Sequence, residues 1–231
     1  MLKRLRALFE DFGEMIFFAG ETLAWMVRPP FRPELILAQM AAIGVGSTFI
    51  VATTGVFAGM VLALQFDYAM GQLGASGYVG GSVGVALARE LAPVFTALMI
   101  IGRSGSAITT ELGTMRVTEQ IDAMETMAVS PIQYLVVPRL IASVAMFPVL
   151  TMLFNALGYA GGYVMGINVS RIPAGPFIAH TRELVVVGDI LHGLAKSVVF
   201  GVAVAIITCW RGYSAHGGSR GVGEGPPAPW S

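Results

Sequence analysis

Two adjacent ionisable residues, Arg89 and Glu90, lie inside an otherwise apolar stretch of the chain. A charged side chain at the centre of a membrane helix costs about 2.5–3.5 kcal/mol on insertion scales, so such residues normally face protein or water. The pair could simply hold helices together. Alternatively, it could form part of a polar ring around a cavity that receives a charged headgroup. Gln65 and Asp67 close the preceding apolar run at a similar level and are expected to face the same cavity.

A second concentration of charge lies between two apolar runs, in the segment TELGTMRVTEQIDAMETMAVS. Its basic residue is Arg116, and its carboxylates are Glu111, Glu119, Asp122 and Glu125. The apolar residues fall on one helical stripe: Val117, Ile121, Met124 and Ala128. This pattern predicts a short amphipathic helix with an acidic exposed side. Helices that lie on membranes are usually rich in Lys and Arg, so the acidity favours docking into a cytoplasmic partner over a surface connector.

One short motif raises the possibility of an intramembrane serine protease, since Gly102-Arg103-Ser104-Gly105 matches G-x-S-G and His192 lies in another apolar run. Arg103 places this serine at the cytoplasmic boundary, whereas His192 falls near the outer end of its run. That separation is too large for the hydrogen bond that activates a nucleophile. The small residues are better explained by close helix packing. We find no P-loop, H-E-x-x-H or dinucleotide fingerprint, so any ATP would be handled by another chain.

The composition is that of a membrane protein. Of 231 residues, 55% are hydrophobic and 12% charged, and the mean hydropathy is +0.73; soluble domains average roughly 25% charged residues. The formal net charge is zero, which argues against nucleic acid as a partner. The single cysteine, Cys209, excludes an internal disulfide and a multi-cysteine metal site.

The hydropathy pattern predicts an all-α polytopic membrane protein with four spans, at about residues 35–66, 82–110, 133–167 and 185–210. Two GxxxG-type patterns, one at Gly55 and Gly59 and one at Gly158, Gly162 and Gly166, predict close helix contacts. The N-terminal segment, with Leu2, Leu5, Leu8, Phe9 and Phe12 along one side, predicts an interfacial helix that ends at Pro29-Pro30.

The distribution of basic residues predicts the orientation. They cluster before the first span, around the charged segment and after the fourth span: Lys3, Arg4, Arg6, Arg28, Arg32, Arg103, Arg116, Arg139, Arg211 and Arg220. The two other connections contain only Arg171 and Arg182. The positive-inside rule therefore places the N-terminus, the charged segment and the end of the fourth span in the cytoplasm.

Two stretches carry a family resemblance: GVFAGMVLALQ in the first span, and ARELAPVFTALMIIGRSGSAITTELGTMRVTEQIDAMETMAVSPIQYLVVPRLIA. They resemble the MlaE (YrbE) permeases, the membrane subunits of ABC transporters that work with MCE-domain proteins to move phospholipids between membranes. The similarity runs from the N-terminal helix to about Gly223. It implies a homodimer in the bacterial inner membrane, a separate cytoplasmic ATPase dimer, a periplasmic MCE-domain hexamer and often a STAS-domain protein.

The resemblance also implies two functional regions. The lipid pocket would open outward between protomers and comprise Leu62, Gln65, Phe66, Met70, Leu73, Arg89, Glu90 and Leu91. The ATPase would engage the helix between spans two and three, through Met115, Arg116, Glu119, Asp122, Met124, Glu125 and Met127. The chain itself is then not an enzyme and needs no cofactor or metal. The alternative function is a membrane scaffold that assembles MCE and ATPase partners without moving lipid.

The end of the chain departs from the family pattern. Relatives continue into a fifth membrane helix, whereas here Gly223 is followed by EGPPAPWS, in which Pro226, Pro227 and Pro229 disfavour a helix. We therefore expect a truncated or frameshifted terminus that lacks the fifth span. The predicted organisation is an interfacial helix at 1–34, a membrane domain at 35–223 with a coupling helix at about 112–129, and an atypical tail at 224–231.

Overall fold

A computed structural model describes residues 2–26, 28 and 32–215, and these residues form helices and short connections. The helices are α1 (Leu2–Met26), α2 (Pro33–Gly71), α3 (Ser76–Val117), α4 (Gln120–Thr126), α5 (Ile132–Asn168), α6 (Ala174–Leu184) and α7 (Val187–Tyr213). Four of them, α2, α3, α5 and α7, are long and apolar enough to cross a membrane. The predicted all-α class and four spans are confirmed. The predicted tail at 224–231 and Pro29-Pro30 lie outside the described residues, as do the side chains of Leu2, Leu5 and Leu8.

The spans are longer than the hydropathy pattern predicts, mainly because polar ends continue the helices. Asp67 to Gly71 extend α2, so the connection to α3 shrinks to four residues, 72–75. Gly74 has φ +68°, a left-handed conformation that glycine adopts without steric cost, and this allows the tight turn. The second polar connection contains a complete helix, α6. Pro173 precedes its first residue and Pro176 lies in its first turn, where proline is tolerated.

Three spans contain π-helical turns, which add one residue to the ordinary helical repeat. They lie at Ala41–Val45 in α2, at Leu87–Leu91 and Ile101–Gly105 in α3, and at Ile132–Val136 in α5. Turns of this kind frequently occur at functional sites because they redirect side chains. Arg89 and Glu90 belong to one of them and Arg103 to another.

The chain forms two compact units. Of the described residues, the first comprises 2–26, 28, 32–43, 101–143 and 202–215. Within it, α1 presents Phe18 to Trp210 and Tyr213 of α7, with ring centroids 5.4 and 5.6 Å apart, and Phe18 is buried. Phe9, Phe12 and Phe17 remain on the surface of the same helix. An apolar face left uncovered on a helix is what interfacial binding to a bilayer requires.

The second unit comprises residues 44–100 and 144–201. Its helices approach closely where the sequence predicts glycine contacts. A Cβ at Gly59 would overlap the carbonyl of Gly158, and one at Gly162 would lie 3.1 Å from the carbonyl oxygen of Gly59. The absence of side chains therefore lets the backbones of α2 and α5 touch, as small-residue interfaces in membranes do.

Gly59→Ala should therefore destabilise the protein, by about 1–3 kcal/mol on the scale of overpacked cores, because a backbone carbonyl cannot move aside as a side chain can. The thermal unfolding midpoint in detergent is the measurement. Gly13→Ala in α1 is the matched control, since its added methyl group meets no atom within 4 Å. Equal midpoints for Gly59→Ala and the control would contradict the contact.

Candidate functional site

The predicted charged pair forms part of a four-residue cluster in the second unit. Arg89 and Glu90 of α3 pair with Asp189 and Lys196 of α7, and we call these four residues the charged quartet. The Arg89 Nη1–Asp189 Oδ1 distance is 3.5 Å and the Lys196 Nζ–Glu90 Oε2 distance is 2.6 Å. Lys196 Nζ also donates a hydrogen bond of 3.1 Å to the carbonyl oxygen of Arg89. Both charges of the pair are therefore compensated by the same neighbouring helix.

Gly193 explains how α7 reaches the π-helical turn that carries the pair. A Cβ at Gly193 would overlap the carbonyl of Ala88, so α7 contacts α3 backbone to backbone one residue before Arg89. Asp189 and Lys196 lie four residues before and three residues after Gly193, on the same face of α7. Asp189 also accepts a hydrogen bond of 3.2 Å from the backbone N–H of Val186, in the first turn, where the helix dipole favours a carboxylate.

The two members of the charged quartet that belong to α3 are the more exposed ones. The side chains of Arg89 and Glu90 are 50% and 61% exposed, whereas those of Asp189 and Lys196 are 12% and 30% exposed. Half-exposed charges within a membrane span must face water or lipid headgroups, because exposure to hydrocarbon is costly. The arrangement thus holds two helices together and also leaves charged atoms available to a ligand.

Asp189 and Lys196 are the members of the quartet that the sequence analysis missed. They are ionisable residues seven positions apart in a mainly apolar span, and that spacing alone puts them on one helix face. Their signal in the sequence is the one that marks Arg89 and Glu90, a charged side chain inside a span, where it must face protein or water.

The other predicted pocket residues lie mainly on α2. Leu62, Gln65, Phe66 and Met70 belong to that helix, Leu73 projects from the connection after it, and Leu91 follows Glu90 on α3. Met70 Sδ accepts a contact of 3.8 Å from the Ser82 hydroxyl of α3. Gln65 and Leu73 are exposed, while Leu62, Phe66, Met70 and Leu91 are half-buried. These six residues have the surface access that ligand contact needs, and their role stays a prediction.

An apolar cleft of about 250 Å³ adjoins the π-helical turn in the same unit. It is lined by Gly84, Leu87, Ala88, Met152, Asn155, Ala156, Tyr159, Thr181, Val185 and Ile190. Leu87 and Ala88 immediately precede Arg89, so apolar walls and charged groups are adjacent in the chain. Such a pairing suits a ligand with hydrocarbon and charged parts.

The acidic segment of the first unit is divided by a sharp change in backbone direction. α3 continues to Val117, Glu119 has φ 59°, and α4 covers only Gln120–Thr126. Ile121 is fully buried, and Val117 and Met124 are half-buried, as the predicted stripe requires. Ala128 lies beyond the end of α4, also at φ 59°, and is exposed.

Contacts within the first unit hold this segment in place. The Arg116 guanidinium pairs with Asp122 and stacks over the Tyr213 ring, with its Cζ 5.5 Å from the centroid. The Tyr213 hydroxyl donates a hydrogen bond of 3.1 Å to Glu125 Oε1. Two carboxylates of the predicted coupling surface therefore have defined positions, because Arg116 orients Asp122 and Tyr213 orients Glu125.

The residues of the predicted coupling surface are mostly accessible. Glu119, Asp122, Glu125 and Met127 are exposed, whereas Met115, Arg116 and Met124 are half-buried. Glu111, the remaining carboxylate of the acidic segment, forms an ion pair with Arg139 of α5, and its Oε2 lies 2.7 Å from Arg139 Nη2. Arg139 is buried, although the sequence analysis used it only as a marker of membrane orientation.

Comparison with known proteins places the chain in a family. Residues 36–226 match the family described as Permease MlaE. A probable ABC transporter permease protein of Rickettsia bellii is 37% identical over 222 residues, which cover 96% of this chain and 86% of the relative. A probable ABC transporter permease protein of Synechocystis sp. is 40% identical over 216 residues, covering 94% and 82%.

A third relative has a more specific description. The intermembrane phospholipid transport system permease protein MlaE of Haemophilus influenzae is 40% identical over 219 residues, which cover 93% of this chain and 84% of the relative. The resemblance that the sequence motifs carry is thus confirmed over most of the chain. With four membrane-spanning helices and a family match over most of its length, this chain belongs to the MlaE permease family of transporter membrane subunits.

Proposed function

We propose that this chain is the permease subunit of an ABC transporter that moves phospholipids between the inner and outer bacterial membranes, with ATP hydrolysed by a separate subunit. The observation that carries the proposal is the half-exposed charged quartet beside an apolar cleft. The description of the Haemophilus influenzae relative as part of an intermembrane phospholipid transport system supports the same substrate class.

The quartet and its surroundings match the two parts of a phospholipid. The Arg89 guanidinium can bind a phosphate through charge-assisted hydrogen bonds, which are about twice as strong as neutral ones. Glu90, held by Lys196, would orient the positively charged part of a headgroup. The apolar cleft would receive hydrocarbon on one side of the quartet. Acyl chains would also lie on the apolar residues of the proposed pocket: Leu62, Phe66, Met70, Leu73 and Leu91, with Gln65 at their polar edge.

The proposed site for the ATPase is the acidic surface of α4 and its flanks. It consists of Met115, Arg116, Glu119, Asp122, Met124, Glu125 and Met127. Ile121 anchors the segment from below while the carboxylates face outward, as a docking surface requires. The positive-inside rule favours a cytoplasmic location for this surface and for the N-terminus.

The family membership supports the remaining partners of the proposal. These are a second copy of this chain, a cytoplasmic ATPase dimer, a periplasmic MCE-domain hexamer and a STAS-domain protein. Within the chain, we propose that 1–34 form the interfacial helix and 35–223 the membrane domain, with the coupling segment at about 112–129 built around α4. The proposed tail at 224–231 lies outside the described residues.

The test is the amount of phospholipid that co-purifies with the complex. Arg89→Ala should lower bound phospholipid about tenfold or more, because a hydrogen bond to a charged group contributes about 1.5–3 kcal/mol and each 1.4 kcal/mol is tenfold in affinity. Mass spectrometry of the purified complex measures it. Arg182→Ala, which removes an exposed arginine of α6, is the control.

Two outcomes would count against the proposal. Full lipid retention by Arg89→Ala would leave Arg89 a purely structural role as the partner of Asp189. An ATPase partner whose hydrolysis rate does not respond to added phospholipid would favour the non-translocating scaffold over the transporter.

A further inference from the structure

We propose that the first unit contains a separate binding site for the phosphate of an anionic phospholipid, at a cleft between the end of α1 and the starts of α2 and α5. We call it the arginine cleft and define it by Trp25, Arg28, Arg32, Ser130, Gln133 and Tyr134, which all line it. None of these residues belongs to the charged quartet or to the proposed pocket around it. The inference therefore does not depend on what the chain transports.

Both arginines of the cleft are stacked on aromatic rings. The Cζ of Arg28 lies 5.3 Å from the centroid of Trp25, and the Cζ of Arg32 lies 4.5 Å from that of Tyr134. A stacked guanidinium is held by one face, while its N–H groups point outward in its plane. The contacts with the rings therefore orient the guanidinium groups of Arg28 and Arg32 and leave their N–H donors available to a phosphate.

No internal carboxylate neutralises these charges within the part of the chain that the structure describes. The ion pairs of those residues engage Arg89, Arg116, Arg139, His180 and Lys196, and neither Arg28 nor Arg32 is among them. Two cations in one cleft repel each other unless an anion joins them. An external anion bound in the cleft would neutralise the charges of Arg28 and Arg32.

The polar neighbours of the arginines lie just before α5 and in its first turn. Gln133 Nε2 donates a hydrogen bond of 3.2 Å to the carbonyl oxygen of Arg28, which ties Arg28 to α5. The Ser130 hydroxyl and the Tyr134 side chain line the same cleft. The cleft thus offers hydroxyl donors besides the two guanidinium groups.

The remaining walls indicate a lipid as the source of the phosphate. Ile36 of α2 and Val137, Pro138 and Ile141 of α5 line the cleft from the membrane spans. Trp25 ends the interfacial helix, and tryptophan is enriched at the level of lipid headgroups. The enclosed space is only about 30 Å³, which accommodates part of a headgroup and leaves the acyl chains to run along the aliphatic wall.

Basic pockets between membrane helices on the cytoplasmic side are known to bind anionic headgroups such as those of cardiolipin. In this chain the bound phosphate would bridge Arg28, two residues after the end of α1, and Arg32, just before α2. The lipid would thereby fix the junction between the interfacial helix and the first span. The arginine cleft is thus a retained-lipid site in addition to the site proposed for transport.

The test compares lipid binding by the full-length protein in nanodiscs. Wild type is placed in phosphatidylcholine nanodiscs containing a minor fraction of phosphatidylglycerol, and retained lipid is counted by native mass spectrometry. We expect retained phosphatidylglycerol to fall about tenfold in the double variant Arg28→Gln/Arg32→Gln. Arg28→Lys/Arg32→Lys should lose part of it, because lysine keeps the charge but not the stacked fork. The charge-matched control Arg171→Gln/Arg182→Gln should retain it fully.

Three results would overturn the assignment. Undiminished phosphatidylglycerol in the Gln double variant would remove the arginines from any lipid site. Displacement of the lipid by added inorganic phosphate would make free phosphate the ligand instead. Loss of the same lipid in Arg89→Ala would assign it to the proposed transport pocket. A thermal midpoint equal to wild type, measured for the Gln double variant, separates lost binding from lost folding.

Discussion

Replacing Glu119, Asp122 and Glu125 together with lysine should abolish co-purification of the ATPase partner proposed above. The three carboxylates face outward from a segment that Ile121 anchors in the protein. Reversing their charges turns attraction to a complementary surface into repulsion, and like charges brought together at an interface cost several kcal/mol. Because about 1.4 kcal/mol corresponds to a factor of ten in affinity, a cost of about 2.8 kcal/mol already lowers the affinity by two orders of magnitude.

The experiment is a pull-down from membranes that contain the ATPase, with the affinity tag on this chain. Asp11→Lys/Glu34→Lys is the control, since it reverses two exposed carboxylates of α1 and α2. The triple variant also removes the Arg116–Asp122 ion pair and the Tyr213–Glu125 hydrogen bond. Glu119→Lys alone leaves both intact and should still weaken binding measurably. Unchanged recovery of the ATPase with the triple variant would contradict the docking surface.

The largest effect on stability is expected from Glu111→Gln. Arg139 is 3% exposed, and its Nη2 lies 2.7 Å from the Glu111 carboxylate while its Nη1 donates a hydrogen bond of 2.6 Å to the carbonyl of Leu135. Its Nε has no acceptor among the described residues. Removing one partner of a fully buried ion pair costs about 3–5 kcal/mol, because a charge is left buried without compensation. Glu111 is 56% exposed, so solvent screening lowers the expectation to about 2–3 kcal/mol.

A double-mutant cycle tests this explanation. Arg139→Met should cost less than Glu111→Gln, since the carboxylate left behind is half-exposed and stays hydrated. Glu111→Gln/Arg139→Met should recover part of the loss, because the uncompensated buried guanidinium is gone. Thermal unfolding in detergent measures all three variants. If the double variant were no more stable than Glu111→Gln, the buried charge would not be the cause of the loss.

The spans could be read from the sequence because their signal is local. A run of about 20 apolar residues can cross the hydrocarbon only as a helix, since every backbone group must be satisfied within the segment. The ends of the spans were less predictable. Asp67 to Gly71, which the hydropathy pattern leaves outside the first span, continue α2, and the connection before the fourth span contains the helix α6.

In the acidic segment, too, the sequence predicted the buried face but not the backbone conformation. The periodic stripe predicted that Ile121 faces the protein, and it is fully buried. The break before α4 was not predicted, because nothing in the residue type of Glu119 announces a left-handed backbone at φ 59°. Such a conformation costs an ordinary residue about 1–2 kcal/mol and depends on contacts that the rest of the fold supplies.

The sequence by itself determined the membrane character, the four spans, the family and the positions of Arg89 and Glu90, because each depends on composition, local periodicity or a contiguous motif. Only the tertiary structure decided which charges meet. Lys196 lies 106 positions from Glu90, and Arg139 of the third span compensates Glu111 of the second. Such pairings depend on helix packing, here on the backbone contact that Gly193 permits with Ala88. Contacts between distant segments have no local signature in the chain.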